Sequence, residues 1–229
     1  MLISFFEEFP TKENLKKLRL INFNTKLYIA ANSYKDFKKI KDKIKNKFVK
    51  EFVYWPLLKK EEGYWISPFA ENNALSRIFN EIKNKNIPVM LDLEFPMNKK
   101  IKLKYFFQNK KLIKDFIKNN KNVYVCEYYP EGYYKDKLLS FLGMHFDADK
   151  LIKMVYHSMH KFNESFIRKE INYGVKKYKN YLLAYGVIAK GVSGKEPLLS
   201  LKQLNKDLSI AKELNVKEVI IFRLGGLNK

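Results

Sequence analysis

Eight short apolar runs, separated by helix-sized gaps, constrain this chain more than any other feature. They begin at Leu2 (LISFFEE), Lys26 (KLYIAA), Phe52 (FVYWPLL), Pro88 (PVMLDLE), Val123 (VYVCEYY), Ile152 (IKMVYHSM), Tyr181 (YLLAYGVIAKG) and Lys217 (KEVIIFRLGG). The start-to-start spacings are 24, 26, 36, 35, 29, 29 and 36 residues. Each leaves room for a strand, a loop, a helix and a second loop.

The gaps carry helix signals. Ser33 to Asp36 and Ser200 to Gln203 have the spacing of a capping box. Leu75, Ile78, Phe79 and Ile82 recur at helical spacing, as do Leu112, Ile113, Phe116 and Ile117. Apolar strands alternating with helices belong to parallel sheets buried on both faces. Eight such units predict a compact single (β/α)8 barrel over residues 1–229, with the final helix missing or truncated after the eighth run. The competing arrangement is an open doubly wound sheet. The sixth run is the ambiguous one, because DADKLIKMVYHSMHKF also reads as a helix from Asp147.

Charge narrows the function. The formal net charge is +21, which on its face suggests a nucleic-acid binder. Only Arg19, Arg77, Arg168 and Arg223 are arginines among 45 basic residues, and the lysines are spread over every helical segment. Nucleic-acid surfaces concentrate Arg and stacking rings on one face, so the pattern argues against that partner. Cys126 is the single cysteine, so an intrachain disulfide is impossible. The start MLISFFEEFP lacks the basic and small-residue features of a signal peptide, and no apolar run reaches membrane-spanning length. A cytoplasmic protein with no membrane partner is expected; nothing in the chain speaks to its oligomeric state.

In such barrels the C-terminal strand ends carry the function. Here they supply Glu7 and Glu8 on the first strand, Tyr54 and Trp55 on the third, and Asp92 and Glu94 on the fourth. The fifth adds Glu127, Tyr128 and Tyr129, the sixth Tyr156, His157 and Ser158, the seventh Tyr185 and the eighth Arg223. The opposite strand ends show no comparable set of acids. Asp92 and Glu94 are two residues apart, so they share a face about 6.6 Å apart along the strand. With Glu127 beside them, repulsion among three acids would raise at least one pKa, as an acid catalyst requires. Whether Glu7 or Glu8 faces inward turns on a one-residue shift in register. Each acid alone has an ordinary alternative: capping a helix or pairing with a lysine. Aromatic faces beside carboxylates suit a sugar or oligosaccharide, whose C–H face stacks while its hydroxyls meet the acids.

LDLE (Leu91 to Glu94) resembles the Asp-x-Glu that ends the fourth strand in the barrel glycoside hydrolase clan of families 18 and 25. Met154 and Tyr156 have the spacing of the family 18 sixth-strand Met-x-Tyr. The resemblance implies that Glu94 protonates the glycosidic oxygen, Asp92 orients it and Tyr156 contacts the sugar. Departures are Ile87 and Met90 where family 18 has two further Asp, His157 after the sixth-strand Tyr, and FRLGGLN in place of the eighth-strand Trp. No cofactor is expected on this reading.

Three other readings compete. Glu7, Asp92, Glu94, Glu127 and His157 form an oxygen-rich set suited to Mg²⁺ or Mn²⁺, as in a sugar isomerase or a phosphodiesterase. His145, His157 and His160 lack a recognised ligand spacing. The glycine-bearing loops KGVSGKEP and RLGGLN, with Lys195 and Arg223, are placed where barrels hold phosphate. A barrel that binds sugar without turnover is the third. Cys126, with no base at a recognisable spacing, reads as a small buried hydrophobe rather than a nucleophile.

Overall fold

The computed structural model describes residues 1–97, 101–128, 133–160 and 162–228. Eight parallel strands run Leu2–Glu7 (β1), Thr25–Ala31 (β2), Val49–Pro56 (β3), Val89–Leu93 (β4), Val123–Tyr128 (β5), Lys150–Met154 (β6), Tyr181–Val187 (β7) and Glu218–Phe222 (β8). They close in sequence order, with β1 paired to β8 from Leu2–Glu218 to Phe6–Phe222. The open-sheet alternative is excluded, and the ambiguous sixth run is a strand.

The helices are Lys12–Lys16 (α1), Tyr34–Lys43 (α2), Asn72–Ile82 (α3), Phe106–Asn119 (α4), Tyr133–Phe141 (α5), His157–His160 (α6), Glu164–Lys177 (α7) and Leu201–Glu213 (α8). Ser33 and Ser200 cap α2 and α8, accepting from the backbone N–H of Asp36 and Gln203. Such caps stabilise a helix end by about 1 kcal/mol. The apolar stripe read on α3 is buried at Leu75, Ile78, Phe79 and Ile82, and Phe79 stacks on Phe116 of α4 at 4.4 Å. After β8 the described residues form only a 3-10 turn, Leu224–Gly226. Among the described residues no helix is long and apolar enough to cross a membrane.

Strand alternation sorts every side chain to the lumen or to the helix layer. Phe6, Tyr28, Val53, Trp55, Met90, Tyr124, Cys126, Ile152, Met154, Leu182, Ala184 and Ile220 pack together inside the barrel. Phe5, Ile29, Tyr54, Val89, Leu91, Leu93, Val123, Val125 and Leu151 face out and pack with α2, α3 and α4. The alternation is broken at the start of the β2–β3 pair, where the register shifts between Thr25 and Lys26, and in β7, where it shifts between Tyr185 and Val187. Gly186 at the shift has φ +62, a left-handed conformation glycine adopts without penalty.

The N-terminal end of the lumen is closed by an ionic plug. Lys26 reaches Glu218 at 2.9 Å and Glu51 at 3.2 Å, and the Tyr28 hydroxyl donates to Glu218 at 2.9 Å. The strand starts therefore do carry acids, contrary to the reading from sequence, but these are spent on a lysine.

Candidate active site

Above the plug, the C-terminal half of the lumen opens into a cavity of about 190 Å³. Its floor is aromatic: Phe6 lies 5.5 Å from Trp55 and 6.3 Å from Phe222, centroid to centroid. Met90, Cys126 and Met154 fill the spaces between the rings.

Four acids enter this space: Glu8, Asp92, Glu94 and Glu196. Asp92 follows the inward parity of Met90 and is buried on the floor. Glu94 lies one residue past β4, yet keeps that parity because the β3–α3 loop extends the sheet. The Ile66 N–H donates to the Asp92 carbonyl at 3.1 Å, and the Glu94 N–H donates to the Ile66 carbonyl at 3.3 Å. Glu94 is half-buried and accepts the Tyr128 hydroxyl at 2.7 Å. Glu8 accepts the Tyr64 hydroxyl at 2.8 Å, and Tyr64 and Trp65 come from that same loop.

Burial dominates the protonation of these groups. It lifts Asp92 well above the usual carboxylate range, and the charges of Glu94 and Glu8 push the same way. It carries Glu94 up to about 7 against the opposing pull of the Tyr128 bond. It carries Glu8 to about 7 as well, partly offset by Tyr64 and by Arg223. Glu8 Oε2, a buried oxygen of a cavity-lining acid, has no hydrogen-bond partner, whereas Asp92 lies within reach of the Trp55 N–H and the Cys126 thiol. Buried polar groups are rarely left so, and each costs about 1–3 kcal/mol unless a ligand or water pairs with it.

Not every residue singled out in the sequence reaches the cavity. Trp55, Asp92, Glu94, Tyr128 and Tyr156 do, and of the first-strand pair it is Glu8. Glu127 does not. It stands opposite Leu93 on the outward parity, fully buried, ion-paired with Lys153 and 2.6 Å from His145 Nδ1. Glu7 also points outward, accepting from Phe9 N, Asn14 Nδ2, Gly225 N and Arg223 Nη1. That contact, a bond to the Lys190 carbonyl and stacking on Phe9 hold Arg223 outside the cavity wall.

Tyr54 is on the outer face, stacked on Phe37 at 5.0 Å. Tyr185 packs outward among Ile167, Ile210 and Val219. His157 opens α6 and lies 3.2 Å from Asp207. Tyr54 and Tyr185 have the outward strand parity, which position at a strand end does not reveal, and His157 lies past β6 on a helix. Tyr129 lies outside the described residues.

The glycine-bearing β7–α8 loop KGVSGKEP does reach the site, but through a residue the sequence reading did not single out, Glu196. Gly191, Val192, Ser193 and Glu196 line the mouth; Tyr185 below them keeps the outward parity of Leu183, and the shift at Gly186 turns Val187 inward. The Glu196 carboxylate accepts from Gly191 N at 3.1 Å, Ser193 N at 3.3 Å and Ser193 Oγ at 2.5 Å. The N–H groups a phosphate would need at Gly191 and Ser193 are thus occupied by a carboxylate. Nor does the predicted divalent-metal set assemble. Glu7, Glu127 and His157 face away, and among the described residues no three His, Cys, Asp or Glu converge to hold an ion.

No family model matches the sequence, and no curated protein is similar to it. Solved structures share its fold. A family 18 chitinase from Crocus vernus superposes with a TM-score of 0.57 at 10% identity, over 99% of this chain and 94% of that one. The PgaB (BpsB) glycoside hydrolase domain from Bordetella bronchiseptica gives 0.55 at 8% identity, over 96% and 93%. A xylose isomerase domain protein from Planctomyces limnophilus gives 0.56 at 8%, over 96% and 88%. The chain is a barrel of the kind found in glycoside hydrolases and sugar isomerases.

Proposed function

We propose that the lumen binds a carbohydrate and cleaves a glycosidic bond by carboxylic-acid catalysis, with Glu94 as the general acid. The observation that carries this reading is the stacked pair Asp92 and Glu94, inward at the end of β4 under the Tyr128 hydroxyl. Burial leaves Glu94 with a proton to donate near neutral pH. Asp92, directly below and kept protonated by burial, orients it, and the positively charged sugar ring that develops as the bond breaks is left to the remaining wall carboxylates. A cavity with acids and no facing lysine or arginine among the described residues favours such a transition state. The aromatic floor offers the stacking surface a sugar ring requires.

The isomerase-type neighbours are equally similar in fold, but the donors a divalent ion would need do not converge, so no step is assigned to one. The test is turnover of a panel of chromogenic glycosides and soluble polysaccharides. Glu94→Gln should lower kcat by about 10² to 10⁴, the usual contribution of a positioned proton donor. Turnover that survives in Glu94→Gln would remove the assignment, and sugar binding without turnover in the unaltered protein would make the barrel a binding protein.

A further inference from the structure

Barrel helices ordinarily turn their apolar side chains to the sheet, as α3 does with Leu75, Ile78, Phe79 and Ile82. Helix α5 does the reverse. Among its described side chains only Asp136 is fully buried, bonded to Lys177 Nζ and to the Tyr173 hydroxyl of α7. Tyr134, Leu138 and Phe141 recur at i, i+4 and i+7 and stand exposed, Phe141 by 69%.

The start of α4 continues this surface. Phe107 is 80% exposed, and Ile101 and Leu103 before it are exposed as well. The Phe107 ring meets that of Phe106 at 5.1 Å, and Lys110 Nζ lies 5.9 Å from the Phe106 ring and 5.8 Å from that of Phe141. The same Nζ donates to the Phe141 carbonyl at 2.9 Å, so the two helices present one patch. Apolar side chains gathered on an outer surface mark a contact site.

Lysines frame the patch. Residues 101 to 119 hold six lysines and one acid, Asp115, which pairs with Lys111. Lys111, Lys114 and Lys118 follow Phe107 at i+4, i+7 and i+11 on the exposed face of α4. Lys114 and Lys118 also line a groove with Lys137 of α5 and Lys177 of α7. The acids of that groove are Asp136, committed to Lys177, and Asp147 and Asp149 ahead of β6.

We propose that the outer faces of α4 and α5 dock the protein on the interface of an anionic phospholipid bilayer. A fluid interface takes separate protruding rings without a preset shape, whereas a folded partner needs pockets to seat them. Phe, Tyr and Leu enter the boundary between headgroups and acyl chains while lysines meet the anionic headgroups. A second copy of this chain would set the same lysines against each other, and like charges across an interface oppose pairing. The expectation of no membrane partner rests on spanning length, and a peripheral contact needs no spanning helix.

A net charge of +21 attracts anionic vesicles by itself, so the test separates the patch from the bulk charge. The full chain should float with vesicles of phosphatidylcholine and phosphatidylglycerol, and not with phosphatidylcholine alone. Phe107→Ser/Phe141→Ser, which leaves the charge unchanged, should weaken that binding about tenfold or more. Lys111→Gln/Lys114→Gln/Lys118→Gln should weaken it about a hundredfold, at about fivefold per lysine near a charged surface. Removing the same charge beside α1, across the barrel, in Lys12→Gln/Lys16→Gln/Arg19→Gln should cost less than about fivefold. All these positions are exposed, so urea midpoints should stay unchanged. Equal losses in the two charge-removing triples, or unweakened binding by the Phe→Ser pair, overturn the patch and leave attraction by net charge alone. Failure of the unaltered protein to float with either vesicle overturns it too, as does a dimer that Phe107→Ser/Phe141→Ser turns into monomers.

Discussion

Glu8 links the pH of the solution to the stability of the fold. Its folded pKa of about 7 stands above the ordinary value of 4.5, chiefly because the carboxyl is buried. At about 1.4 kcal/mol per unit, that difference corresponds to about 3 kcal/mol in favour of the protonated folded state. Below pH 4.5 the group is protonated in both states and the contribution is complete. From 4.5 to about 7 the unfolded chain gives up the proton while the folded chain keeps it, so stability falls as pH rises. Above about 7 the contribution is gone.

Glu8→Gln removes the proton exchange but can still accept the Tyr64 hydroxyl. Urea unfolding of both proteins from pH 4.5 to 8 should show their stability difference moving by about 3 kcal/mol in favour of the variant as pH increases. For a chain of this length that equals about 6 to 12 °C in the difference between their melting temperatures. A stability difference that stays constant across the range refutes the buried, partnerless placement of Glu8 Oε2.

Two further outcomes follow from the two faces of the sheet. Tyr128→Phe deletes the bond that holds Glu94 down, so the alkaline limb of kcat should move to higher pH; a pH–rate profile with that limb unmoved or lowered contradicts the Tyr128–Glu94 contact. Lys153→Met leaves Glu127 buried without its lysine and should cost about 3–5 kcal/mol in urea unfolding, while Lys153→Met with Glu127→Met should recover most of it. The double variant should retain turnover, because neither residue faces the cavity; its loss would return Glu127 to the site.

The barrel was readable because its strands announce themselves as apolar runs and its helices as capped, periodic segments. The facing of the strand ends was not. In a parallel barrel both sheet faces are buried, so Glu7 and Glu8, or Tyr54 and Trp55, sit in equally apolar company and no alternation marks the lumen side. Asp92 and Glu94 could be paired because two-residue spacing guarantees a shared face whatever its direction. Glu127 misled because height along the barrel was matched to Asp92 while parity was not; its direct neighbour is Leu93. Glu196 gave no signal at all. It lies on a loop, where no period relates sequence position to direction, and only the folded turn through Ser193 brings it over the mouth.

The pairing of Ile66 with Leu93 makes the β3–α3 loop a partial ninth strand at the rim. In most barrels of this architecture loops can be exchanged while the strand framework stays put, and new specificities arise that way. Here Glu94, the proposed proton donor, is carried on backbone bonds to the loop itself, and Trp65 at the mouth belongs to the same segment. Inserting or deleting one residue between Leu57 and Ile66 would shift the ladder and swing Glu94 out of line. The rim acid and the ring at the mouth are thus mechanically geared to one segment, which leaves freer ground for change in the β7–α8 loop.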